Sequence, residues 1–122
     1  MFKLKVKIVP ISLLVSPNLG LKYMGIIALS TIKNFWLNPS YHEAKEPLLS
    51  WFRHVATVFW SGLADLKKDY RSASVLKDGR VVFNIAGNKY RLVVWINYSY
   101  QVVYIRFIGT HKQYDLIDAQ TI

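Results

Sequence analysis

Arg80 to Asp118 reads RVVFNIAGNKYRLVVWINYSYQVVYIRFIGTHKQYDLID, and the period of its apolar residues decides the fold. Val81, Phe83 and Ile85 alternate with Arg80, Val82 and Asn84, the period of a strand with one buried face. Gly87-Asn88 tolerates positive φ and predicts a compact hairpin connection. With a two-residue loop there, Ala86 faces Lys89, Asn84 faces Arg91, Val82 faces Val93 and Arg80 faces Trp95. One sheet face then gathers Arg80, Asn84, Arg91 and Trp95. The other gathers Val81, Phe83, Ile85, Tyr90, Leu92 and Val94 and is the core side. Tyr98 to Gln101 holds the next turn, and Val102 to Ile108 forms a third strand. A loop of two or four residues puts Tyr104 and Arg106 on the Arg91 face, whereas three would bury Arg106 unpaired at high cost. The first arrangement is expected.

Upstream the period lengthens. Ile26, Leu29, Ile32 and Phe35 recur at threes, a weak helical signal over Ile26 to Phe35. Leu48, Phe52, Val55 and Phe59 form one apolar stripe of a longer helix, about Ser40 to Phe59. Ser40 is its candidate N-cap. Pro47 costs about 3 kcal/mol in a helix interior, so the regular helix is expected from near Glu46. Ser61-Gly62 ends it, and Leu63 to Tyr70 predicts a further short helix. Helices followed by an antiparallel meander and a C-terminal turn make an α+β chain: N-terminal helices packed on a small antiparallel β-sheet.

With 122 residues, 52% of them hydrophobic, the chain suits one folded domain. The absence of cysteine removes disulfides, thiolate metal sites and cysteine nucleophiles. Nothing calls for an oxidising compartment, so a cytoplasmic location is expected. Net charge is +9, which points to nucleic acid or another polyanion. Four of the sixteen cations (Lys3, Lys5, Lys7, Lys22) and none of the seven acids precede Met24, so the remainder keeps a net +5. The apolar run Ile8 to Val15 follows three lysines in the order of a secretory signal, but it is short, broken by Pro10 and lacks a small-x-small cleavage site. It also falls far below the roughly 20 residues that span a bilayer. A weak export signal, a membrane-touching tail and a translation start assigned too far upstream all fit; the last is favoured. Residues 1–23 are expected to be a non-core extension, 24–122 the domain, and stable membrane association is not expected.

Thr110-x-x-Gln113 matches a capping box, so His111 opens a helical turn and Tyr114 lies three residues on, on the same side. A lone loop histidine is more often a surface residue, but His111 leaves directly from a strand adjacent to Arg91. Arg91 and Arg106 interrupt apolar strands. Lys67 and Lys68 read as a solvated helix face, Lys89 as a hairpin cation, and Arg80 as a possible cation–π partner of Trp95. Asn84 opposite Arg91 could hold that guanidinium. His42, His54 and His111 show no metal spacing, and no phosphate loop or nucleophile elbow is present.

The segments VVFNIAGNKYRLVVWINY and VYIRFIGTHKQYDLID, with LADLKKDY upstream, resemble the HigB family of type II toxin–antitoxin toxins, within the RelE/ParE-like group. The resemblance spans roughly Ile32 to Ile122. It implies a RelE-like microbial RNase toxin fold and a ribosome-dependent mRNA endonuclease that contacts ribosomal RNA. A HigA-type helix-turn-helix antitoxin would neutralise it, and would be its only link to DNA. It also implies cleavage by the RNA's own 2′-OH, without metal or cofactor, through Arg91, His111 and Tyr114. Lys67, Lys68, Arg80, Asn84, Lys89, Arg106 and Lys112 are the expected RNA-binding residues. Some relatives carry lysines on the first hairpin strand where this chain has Phe83-Asn84-Ile85, which leaves open which residue is the general base. The rival readings are a ParE-like gyrase poison of the same fold and a noncatalytic RNA-binding module.

Overall fold

Alternation along the hairpin produces the register it predicts. β3 (Arg80–Ile85) and β4 (Tyr90–Asn97) pair antiparallel with Asn84 opposite Arg91, Val82 opposite Val93 and Arg80 opposite Trp95. The computed structural model describes residues 24–122; the expectations for residues 1–23 lie outside the described residues. The hairpin loop spans four residues, not two, because Ala86 and Gly87 both adopt positive φ and Lys89 N–H closes onto the Ala86 carbonyl. Lengthening the loop by one residue on each side leaves every later pair unchanged.

β5 (Val102–Thr110) adds antiparallel to β4 through the four-residue turn Tyr98 to Gln101. β1 (Gly25–Ile27) then pairs parallel with β5, and β2 (Ser74–Val75) pairs antiparallel with β3. The sheet is therefore five-stranded and mixed, in order β1-β5-β4-β3-β2, which corrects the purely antiparallel meander. The expected helix over Ile26 to Phe35 begins only at Leu29, because Gly25 N–H bonds the Gln101 carbonyl at 2.7 Å and draws residues 25–27 into the sheet.

The helical half comprises α1 (Leu29–Leu37), a 3₁₀ segment (Pro39–Ala44), α2 (Lys45–Val55) and α3 (Leu63–Asp69). Asn38, not Ser40, is the cap: its side chain accepts from Ser40 N at 2.9 Å. Pro47 falls in the first turn of α2, where its missing N–H has no intrahelical partner to lose. α2 stops at Val55, so Phe59 leaves the apolar stripe and is half exposed while Trp60 enters the core. Leu48, Phe52 and Val55 pack against the inner sheet face, which carries Val81, Phe83, Ile85, Tyr90, Leu92 and Val94 as expected.

A bulge shapes β5. Val93 pairs with Phe107 but Val94 pairs with Ile105, so Arg106 has no partner on β4. Ile105 and Ile108 consequently both reach the core, a spacing of three that a straight strand forbids. Phe107 takes the outer position opposite Val93 that uninterrupted alternation assigns to Arg106.

Candidate functional site

The outer sheet face is not wholly open. Its central pair, Val82 and Val93, is buried under a second apolar cluster with Ala119, against which Leu76, Phe107, Tyr114, Ile117 and Ile122 pack. Gln120 fastens this C-terminal cover to the β2–β3 turn: its side chain accepts from Lys77 N–H and donates to the Lys77 carbonyl, both at 2.8 Å. The centre of this face is therefore closed, because two valines on the outer side require apolar cover.

At one end of the face lie Arg91 and the helical turn α4 (His111–Tyr114). Arg91 pairs with Gly109 and Tyr90 with Thr110, so register alone sets α4 beside Arg91. The capping box forms as predicted: Thr110 Oγ1 accepts from Gln113 N at 3.2 Å, and Gln113 Oε1 accepts from Thr110 N at 2.8 Å. Gln113 also donates to Tyr41 Oη at 3.1 Å, anchoring α4 to the helical half. Tyr114 packs against the outer cluster and thus lies on the Arg91 side of the sheet. His111 is exposed, with Nδ1 3.4 Å from Asp115 Oδ2, an ion pair when the imidazole is protonated. Arg91 is half-buried as a residue, and its guanidinium donates to the Asn88 carbonyl at 3.1 Å in an exposed bond. A guanidinium, an imidazole and a phenol at one sheet end can neutralise a phosphate and move protons.

The expected RNA-binding residues divide. Arg80 and Arg106 both donate to the main-chain oxygen of Ile122, with Arg106 Nε at 3.2 Å. Lys67 reaches the Arg71 and Ala73 carbonyls, each at 2.8 Å, and Asn84 donates to the Ser72 carbonyl at 3.3 Å rather than holding Arg91. Lys89 pairs with Glu43 at 2.7 Å, on the helical half. That contact and the Tyr90 hydroxyl hold the Glu43 carboxyl below its ordinary value, while Glu43 raises Lys89. Lys68 and Lys112 are exposed. Trp95 stacks on Tyr104 at 4.9 Å between ring centroids rather than on Arg80.

Alternation missed a cleft of about 380 Å³ between α1 and β5, lined by Thr31, Asn34, Asn38, Tyr41 and Arg106 among others. The spacing Thr31, Asn34, Asn38 was the available signal, polar residues at three and four along one helical side. Among the described residues, no group of three or more His, Asp or Glu side chains is placed to hold a metal ion. Nor is any helix there long and apolar enough to cross a membrane.

Residues 44–117 match the sequence model of the HigB toxins, described as the RelE-like toxic component of a toxin–antitoxin system. The chain is 32% identical over 81 residues to the mRNA interferase toxin HigB of Escherichia coli K12, covering 65% of this chain and 78% of that protein. The mRNA interferases HigB of Escherichia coli O157:H7 and Shigella flexneri show the same identity and coverage.

Proposed function

Because this chain belongs to the HigB family of RelE-like toxins, the toxic half of a toxin–antitoxin pair, we propose that it is an mRNA interferase that halts translation by cutting transcripts on the ribosome. The single supporting observation is the β4–β5 register, which sets α4, with His111 and Tyr114, beside Arg91. The RNA's own 2′-OH attacks the adjacent phosphorus, and the 5′-oxygen of the next nucleotide leaves with a cyclic phosphate behind it. Arg91 neutralises the phosphorane, a contribution of roughly 3–4 kcal/mol for one preorganised donor. His111 and Tyr114 divide removal of the 2′-OH proton and protonation of the leaving oxygen, in either order, for about 10²–10⁴-fold. The reaction proceeds in the cytoplasm, the exposed Lys68 and Lys112 contact mRNA or ribosomal RNA phosphates, and a HigA-type helix-turn-helix antitoxin silences the toxin.

Separate Arg91→Ala, His111→Ala and Tyr114→Ala variants test this. Each is expected to relieve growth arrest and to lower transcript cleavage at least tenfold while remaining folded. Three fully toxic variants would place the site elsewhere. Intact transcripts accompanied by a DNA-damage response would instead identify a gyrase poison.

A further inference from the structure

The sheet register sets Ile27 of β1, Tyr104 of β5, Trp95 of β4 and Arg80 of β3 side by side in one row. All four project on the outer face, because their chain neighbours Ile26, Val103, Ile96 and Val81 turn toward the core. The C-terminal cover stops short of this row: the cluster that it closes holds Val82, Val93 and Phe107 but neither Trp95 nor Tyr104. Trp95 is 36% exposed and Ile27 38%, whereas Trp36, Trp51 and Trp60 are buried. The exposed indole is nevertheless held in place. It stacks on Tyr104 with 26° between the ring planes, and its Nε1 edge lies against Gly79. A Cβ on Gly79 would stand 3.1 Å from that Nε1 and 2.7 Å from the Ile96 carbonyl oxygen, so the approach requires glycine. Charge points to the occupant. The five strands carry three arginines (Arg80, Arg91, Arg106) and no aspartate or glutamate, a field that attracts a polyanion.

We propose that Trp95 and Tyr104 form a stacking platform for an unpaired base of single-stranded RNA. Every base has a π face, so a fixed, exposed aromatic pair accepts RNA with little regard to sequence. Because both rings are already oriented, little side-chain freedom is lost on binding. The platform needs neither Arg80 nor Arg106, which stay on the Ile122 oxygen. Trp95 lies four residues from Arg91 on the same side of β4, roughly 13 Å at about 3.4 Å per residue. The roofed Val93 stands between them, so the stacked base belongs to a nucleotide flanking the cleaved step. The inference rests on the RNA substrate proposed above and adds where a neighbouring nucleotide of it is held.

Trp95 is the exposed tryptophan among four, so its fluorescence reports the platform. The test titrates the full chain with a short oligoadenylate, 2′-O-methylated so that it cannot be cut, and with an abasic sugar–phosphate oligomer of the same length. Oligoadenylate is expected to quench Trp95 emission and to bind more tightly than the abasic oligomer. Trp95→Leu should weaken oligoadenylate about tenfold and leave the abasic oligomer unchanged, which also shows that the variant is folded. Trp95→Phe should restore most of the affinity. Equal affinity for the two oligomers, or unmoved emission at saturation, overturns the platform. Full RNA affinity in Trp95→Leu together with escape from the antitoxin also overturns it, and identifies a protein-docking face instead. Transcript cleavage measured in parallel separates the two readings. Protein that cuts mRNA with no response at Trp95 overturns this inference alone; protein that stacks oligoadenylate and cuts nothing upholds the platform and overturns the nuclease.

Discussion

Lys67 sends its ammonium to two main-chain carbonyls, those of Arg71 and Ala73, and so closes the connection between α3 and β2. That is a structural role for a residue whose neighbours in sequence, Lys68 and Arg71, are exposed cations. Lys67→Met is expected to cost about 1.5–3 kcal/mol, the range for hydrogen bonds to a charged group. Cleavage per folded molecule should be unchanged. Urea unfolding measures the first and a specific-activity assay the second; lost activity with an unchanged urea midpoint would return Lys67 to the RNA surface. Sequence could not separate Lys67 from Lys68, because a lysine's partner is set by a loop whose path depends on tertiary packing.

The proposed acid–base pair, His111 and Tyr114, sits on the smallest of the described helices. α4 has four residues, far below the length at which an isolated helix is stable. It stands on the Thr110–Gln113 capping box and the Gln113–Tyr41 bond. Thr110→Val removes the cap acceptor at a cost of about 1 kcal/mol, so the melting temperature should fall by only a few degrees. Cleavage should fall further, because His111 and Tyr114 lose their common platform. A variant with the modest stability loss and full cleavage would show that α4 does not position the chemistry. The capping box was legible because its signature is local. The bulge in β5 had one legible trace, Ile105 and Ile108 at a spacing of three, which no straight strand buries on one face. Reading through that trace put Arg106 opposite Val93, whereas the fold gives that position to Phe107 and leaves Arg106 unpaired on β4.

Across the whole molecule, one core joins the helices to the inner sheet face, and Tyr70 closes an aromatic group with Trp60, His54 and Phe83. Its hydroxyl lies 2.8 Å from His54 Nδ1, and burial, helped by Asp69, pushes its pKa up to about 12 from 10.0. A raised pKa in the folded state favours the protonated phenol. The resulting stability is complete below pH 10 and is lost as pH rises through about 12. Unfolding free energy should therefore fall between these values more steeply in the native protein than in Tyr70→Phe. Parallel curves for the two proteins would mean that the Tyr70 phenol ionises freely in the folded state.

Short-range pattern by itself determined the α+β class, the β3–β4 register, the inner face, the capping box and the family resemblance. Each depends on residues close in the chain, where period and turn chemistry leave few alternatives. Only tertiary structure decided that residues 25–27 join the sheet in parallel and that the C-terminal segment roofs Val82 and Val93. It also decided that Arg80 and Arg106 meet at Ile122. Those outcomes bring together groups separated by tens of residues, and burial of apolar surface across that separation, not local preference, selects among them.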